Sequence, residues 1–458
     1  MTESLSRAIV AAAARAAGEV PAPVDRIARL HLLDSLAVGA LGAARGPLRG
    51  LQRMAEQTAG PAAVLGARHR TSPATAALVN GSLIHSLEYD DTHVASVMHG
   101  SATLTPAAFA AAEGAGVGGA RLVAAYAVGW ELLIRLGLAS PGSLQARGFQ
   151  TTSAAGPFAA ALVSVLVHGD VEHGVDALGI AGSQPGGTFA FLAAGDTVKA
   201  AQPAWAAHAG LLAADLARHG VTGPEQVLDG PFGFYRLYAG DPGAPDRLGR
   251  EVADLGQRWH LAEAAFKLLP CCHFIHPFVE ALQSLVDQGL TADGLASLHC
   301  WVPTGAVPVI AEPWAERQLP ATGHDVRWSL PYVLATHLVE GRLPFEVFDA
   351  PVGGRPAELA ARITYEDWPE ADFPARFPAR IEATLVDGRV LRAEVDDVVG
   401  GAGRPVAEDA VLAKARACLE LAGAGGETAD RLAATLLDTP DFDPGEVLAL
   451  LSDLHGPD

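Results

Sequence analysis

Five stretches in the first half of the chain repeat apolar residues at helical spacing: 24–43, 72–91, 119–139, 154–169 and 201–220. The stretch 72–91 opens on Ser72–Pro73, a helix-start signal, and 201–220 closes on Gly220. Residues 5 to about 263 therefore predict helix after helix. The 50 glycines and abundant alanines suit close helix packing. The character changes after about residue 264. "LASLHCWVP" (295–303) reads as a strand, as do 378–388 and 389–398, joined at Asp387–Gly388, a hairpin signal. Residues 328–340 and 354–362 read as helices, so this block is α+β. From about 405 the helical pattern returns, through 408–423 and "EVLALLSDLHG" at 446–456. The expected architecture is mainly α: a large all-helical domain from both chain ends (1–264 and 400–458) with a smaller α+β domain (265–399) inserted.

Bulk properties narrow the function classes. At ~100–200 residues per domain, 458 residues carry the mass of two to four domains. Half the residues are hydrophobic and the mean hydropathy is +0.22, enough for a large core. The most apolar runs, near 30–43 and 121–138, contain Arg, His, Asp or Glu, so no membrane span is expected. "MTESLSRAIV" lacks a basic region followed by an apolar one, so no signal peptide is expected. Four cysteines make no disulfide framework. A cytoplasmic enzyme is the expectation. A net charge of −20 argues against nonspecific nucleic-acid binding, which needs phosphate-neutralising cations.

The cationic residues are informative against that background. Of 32 Lys and Arg residues only Lys199, Lys267 and Lys414 are lysines. A position that stays lysine here is a candidate for lysine's own chemistry, a compact donor with a movable pKa. Lys267 lies in "FKLLPCCHFIH" (266–276), where the fold character changes, and clefts favour domain junctions. "DVRWSLPYVLATHL" (325–338) brings Arg327, Ser329 and Tyr332 to a helix start.

The densest titratable stretch is "HSLEYDDTHVASVMHG" (85–100). A helix end with solvated acids is the ordinary reading of such a run. The apolar helices on either side argue for partial burial instead, and a histidine there can donate or accept a proton. Asp90, Asp91, His93 and His99 are conceivable metal ligands, but no regular ligand spacing completes a shell, so no metal is expected. "GAGVGG" (114–119) fits a dinucleotide fingerprint in letters only, because helical text precedes it where a strand is needed. It reads as a helix connector.

Taken in order, "LLDSLAVGALGA", "NGSLIHSLEYDDTH", "RGFQTTSAAGPFAAA", the 194–235 stretch, "FKLLPCCHFIHPFVEAL" and "DVRWSLPYVLA" resemble the MmgE/PrpD family, over nearly the whole chain. The resemblance implies that the inserted domain is a lid, with an active site between the two domains. It implies no metal or organic cofactor, a homodimer, and a small organic acid as substrate. Members remove water or carbon dioxide, or move a stereocentre beside a carboxylate. The matching positions are Asp91 and Thr92 in "DDT", His99 after it at a spacing one residue longer, Lys199, Lys267 and Tyr332. Catalytic candidates are thus His99, Lys199, Lys267, Tyr332 and Asp91. Thr92, Glu88, His93, Gln150, Trp205, Cys272 and His273 are candidates for substrate binding.

This chain also departs from the family pattern. Glu88 stands where the family has Asp, and Gln150 where it often has a catalytic-type His. Gln202 and Trp205 replace a His and an Arg, and Cys271, Cys272 and His273 stand where some members have His or Arg. Gln has no accessible pKa and only orients. Losing an Arg removes a bidentate carboxylate clamp, and Trp205 would supply an aromatic wall instead. The expectation is a cofactor-free lyase of dehydratase or decarboxylase type, acting on an acid with fewer charges than a tricarboxylate. The alternatives are an isomerase, epimerase or cyclase on the same scaffold, or an inactive relative that binds a ligand.

Overall fold

The structure is a computed structural model that describes residues 4–193 and 196–454. The fold is mainly α. The chain forms two compact units, one ending at Phe266 and resuming at Val406, the other running Lys267–Pro405.

The first unit is a stack of helices. Gly100–Ala115 and Thr151–His168 form its centre: every residue of 100–112 and of 151–167 is buried. Ala22–Arg45, Pro73–His85, Gly119–Leu138 and Val198–Arg218 surround them. Ser72 caps the helix it precedes by accepting the Thr75 N–H, as the Ser–Pro pair predicts. "GAGVGG" joins Gly100–Ala115 to Gly119–Leu138, the connector expected. Ala22–Arg45 and Thr151–His168 are long and apolar enough to cross a membrane. Their apolar windows are 89% and 94% buried, as for core helices of this unit.

The unit is completed from the far end of the chain. Glu408–Leu421 packs on Ala22–Arg45, with Val411 against Leu30 and Phe266. Gly426–Asp438 follows. The helix expected over 446–456 is shorter: it runs Pro444–Ala449, started by Asp443, which accepts the Gly445 and Glu446 N–H groups. Residues 455 and 456 of that expectation lie outside the described residues.

The second unit carries a four-stranded sheet in the order Ile363–Trp368, Leu295–Pro303, Ala379–Leu385, Val390–Val395. The first pair is parallel and the others antiparallel. Ala379–Leu385 alternates buried and half-buried residues, the period of a strand with one covered face. The hairpin turns at Asp387–Gly388, where Gly388 adopts a φ of 85° that glycine tolerates. The edge strand Ile363–Trp368 was not legible as such, because it alternates weakly and is largely exposed. Helices His276–Asp287 and Leu330–Glu340 belong to the same unit.

Candidate active site

The segment between His85 and Gly100 links two buried helices of the first unit, and its acids are not solvated. Glu88 is 3% exposed, Asp90 0% and Asp91 1%. Burying carboxylates is costly unless each is paired and hydrogen-bonded. The sequence meets that requirement with a ladder of alternating acids and bases. The Lys199 ammonium donates to Glu88 Oε1. Glu88 Oε1 lies 3.9 Å from His85 Nε2. His85 Nδ1 bonds Asp90 Oδ2 at 2.8 Å, and the same oxygen lies 3.7 Å from His99 Nδ1. The rings of His85 and His99 meet edge to face with centroids 4.9 Å apart.

The backbone here is shaped for this. Glu88 has a φ of 53°, an uncommon conformation for a residue with a side chain. Thr92–His93 then forms a two-residue strand against Ala264–Ala265, and His93 also bridges to Met98. The chain thus doubles back, and His99 becomes the residue before helix Gly100–Ala115. Its backbone N–H donates to Thr152 Oγ1 at 2.9 Å. Its Nδ1 lies 3.2 Å from the Asp91 carbonyl and 3.1 Å from Thr92 Oγ1. A carbonyl only accepts, so Nδ1 carries the proton and Nε2 holds the lone pair of the neutral ring.

Asp91 works from behind. Its carboxylate accepts from His31 Nδ1 at 2.7 Å, the Ser101 N–H at 3.1 Å and the Ser101 hydroxyl. Tyr126 bonds that hydroxyl at 2.6 Å. Burial first, and the Asp91 charge second, raise the Tyr126 phenol above its ordinary range, so it remains a donor. Asp91 also sits at the N-terminus of helix Gly100–Ala115, where negative charge is favoured. Its carboxylate fixes the turn, and its carbonyl orients His99.

Lys414 was not singled out as a site residue by sequence. Its Nζ lies 2.8 Å from Asp34 Oδ1, donates to the Tyr89 carbonyl at 2.7 Å and sits 4.1 Å from the centre of the Tyr89 ring. Both side chains of the ion pair are nearly dry, 3% and 0% exposed. Burial raises the Asp34 carboxyl and Lys414 opposes that rise. The returning C-terminal segment thereby clasps the backbone between Glu88 and Asp90. The signal available was the same scarcity of lysine that marked Lys199.

Other candidates of the first unit take different places. His93 is buried with its Nδ1 2.8 Å from Ser96 Oγ and its Nε2 3.7 Å from Glu263, outside the ladder. Burial pulls its pKa down. Gln150 caps helix Thr151–His168, its Oε1 accepting the Ser153 N–H at 2.6 Å. Gln202 donates to the Thr188 carbonyl at 2.9 Å. Trp205 is 52% exposed, stacked on His208. With Val198 and Leu212 it forms an exposed stripe at seven-residue spacing.

The remaining candidates belong to the second unit. Lys267 and Tyr332 are buried at 0% and 4% exposure. The Cys272 N–H donates to the Arg327 carbonyl at 2.8 Å, and His273 packs edge-on against His276 and Phe377. Ser329 caps helix Leu330–Glu340 by accepting the Tyr332 N–H. The Tyr332 hydroxyl accepts the Gly353 N–H at 3.0 Å.

Among the described residues, two groups of side chains have metal-compatible spacing: His85, Asp90 and His99 in the ladder, and His93, His260 and Glu263 beside it. Within the ladder Lys199–Glu88 and His85–Asp90 are hydrogen-bonded, while Glu88 and His85, and Asp90 and His99, face each other at ion-pair distances of 3.9 and 3.7 Å.

The first unit is thus mainly helical, built from both ends of the chain, and holds a buried acid–base ladder around its Asp-Asp-Thr turn. The chain belongs to the MmgE/PrpD family: the family's N-terminal domain matches residues 8–245 and its C-terminal domain 269–439. It is 31% identical to the cis-aconitate decarboxylase-like protein oryM of Aspergillus oryzae, over 95% of this chain and 94% of that protein. It is 29% identical to the cis-aconitate decarboxylase of Aspergillus terreus, over 88% of this chain and 86% of the relative. The human cis-aconitate decarboxylase is 28% identical over 76% of this chain and 73% of its own length.

Proposed function

We propose that this protein is a cofactor-free lyase that removes carbon dioxide or water from a small organic acid. The observation that carries this reading is the ladder from Lys199 through Glu88, His85 and Asp90 to His99. His99 is its acid–base end. With Nδ1 held by the Asp91 carbonyl and Thr92, Nε2 takes a proton from substrate carbon, or returns one to the carbanion left by decarboxylation. Lys199 supplies positive charge for a carboxylate or an enolate-like oxygen. Lys267 and Tyr332 are proposed as a further cation and a proton or hydrogen-bond donor. The relatives named cis-aconitate decarboxylases support decarboxylation of an unsaturated acid.

The substrate is proposed to carry fewer carboxylates than cis-aconitate. Glu88 already occupies Lys199, which reduces the charge left to hold an anion. The test is a panel of mono-, di- and tricarboxylic acids, cis-aconitate included, with products read by mass. Loss of carbon dioxide or water on a di- or monocarboxylate supports the proposal. An unchanged product mass identifies an isomerase instead, and no turnover with ligand-induced thermal stabilisation identifies a binding protein.

A further inference from the structure

His93, His260 and Glu263 meet outside the ladder, on the far side of the short strand that carries Thr92. Both histidines are 1% exposed, and the Glu263 side chain is 32% exposed. His93 Nε2 lies 3.7 Å from Glu263 Oε2, and His260 Nδ1 lies 3.4 Å from the same oxygen. One ligating atom from each residue lies within 4.8 Å of the others. A tetrahedral ion with metal–nitrogen and metal–oxygen bonds of about 2.0–2.1 Å separates its ligands by roughly 3.3–3.5 Å, close to these spacings.

His93 Nδ1 lies 2.8 Å from Ser96 Oγ and accepts the Ser96 N–H at 3.3 Å, which leaves the ring proton on Nε2, facing Glu263. An ion bound there would displace that proton, as metal binding to histidine does. His260 Nε2 lies 3.5 Å from Glu251 Oε2. The guanidinium of Arg258 lies 3.5 Å from Glu263 Oε1, which leaves Oε2 as the oxygen turned to both rings. The backbone is hydrogen-bonded on both sides: His93 pairs with Ala264 in the strand, and the Leu261 N–H donates to Glu131 Oε1 at 2.8 Å.

We propose that His93, His260 and Glu263 form a site for one zinc-class divalent cation, with water as the fourth ligand on the partly exposed Glu263 side. Two imidazoles and a carboxylate, without thiolate, suit zinc, cobalt or nickel rather than calcium or magnesium. The ion would pin residues 92–93 to 260–264. Thr92, whose hydroxyl touches His99, would be steadied from behind.

The test uses the full chain, stripped with a chelator and titrated with Co2+, then with Zn2+ as competitor. The expected result is one equivalent of Co2+ with visible d–d absorption, no sulfur charge-transfer band, and displacement by Zn2+. His260→Gln and Glu263→Gln should each weaken binding by more than about tenfold while the circular dichroism stays that of the parent, and His99→Gln should leave binding intact. Three results overturn the proposal: no saturable binding to folded protein, binding that survives both Gln substitutions, or binding lost only with His99→Gln, which would put the ion in the ladder.

Discussion

Glu88 holds Lys199 across 111 residues of chain, and it does so from a backbone φ of 53°. An uncommon conformation at a buried, charge-bearing residue is where function and local strain tend to coincide. The pair fixes one end of the ladder whose other end is His99, so its chemistry bears on which acids the site accepts.

Glu88→Gln keeps the length of the side chain and removes the charge. With Lys199 released, acids carrying one more carboxylate should gain. The ratio of kcat/KM for tricarboxylate over dicarboxylate substrates should rise about tenfold, or about 1.4 kcal/mol. Steady-state kinetics on both acids check it. An unchanged ratio means that Glu88 does not set the charge of the substrate.

Lys414 and Asp34 form a nearly dry ion pair beneath the same turn. Removing one partner of such a pair strands the other charge. Lys414→Met should therefore cost about 3–5 kcal/mol of unfolding free energy. The double variant with Asp34→Asn should lose less than the sum of the two single losses, since the two residues are in contact. Urea unfolding of the four proteins measures both.

Gly100 follows His99 and packs against the six-membered ring of Trp130. A Cβ there would lie 2.4 Å from the indole, and Trp130 is 0% exposed. Gly100→Ala should cost about 1–3 kcal/mol by overpacking. Because the clash is at the helix start, turnover should fall with it. Thermal unfolding beside a kinetic assay tests this.

His337 in the second unit gives a pH signature. Burial lowers its pKa. Its Nε2 bonds Gln283 Oε1 at 2.9 Å, and its buried Nδ1 has no hydrogen-bond partner, so a second proton would have no acceptor. Below about pH 6.5 the unfolded chain binds a proton that the folded chain resists. Stability should therefore fall as pH drops from about 6.5 towards the folded value, and be independent of this group well above pH 6.5. His337→Gln should flatten that slope in unfolding experiments run across the range.

The helices were legible because their signals are local. Apolar periodicity, Ser72–Pro73 and the Asp387–Gly388 turn each act within a few residues. The cluster at 85–100 was legible as chemistry, since a dense titratable run between apolar helices has few other uses. Its wiring was not. His31 and Ser101 reach Asp91 from two helices, Tyr126 reaches Ser101 from a third, and Lys414 arrives from 380 residues beyond Asp34. Such contacts exist only once the fold brings distant text together. Nor did the letters of Gln150 and Trp205 announce their local settings: Gln150 caps a helix and Trp205 is 52% exposed. Nor could sequence tell that His93 turns to Ser96 and Glu263 while Thr92 turns to His99, since adjacent residues of a strand face opposite sides.

The central claim is that His99 moves the proton. The direct measurement is turnover by purified His99→Ala on the best substrate of the acid panel, beside its thermal unfolding. The account predicts a kcat lower by about 10²–10⁴-fold in a protein that still folds cooperatively. Full turnover in that folded variant would contradict it.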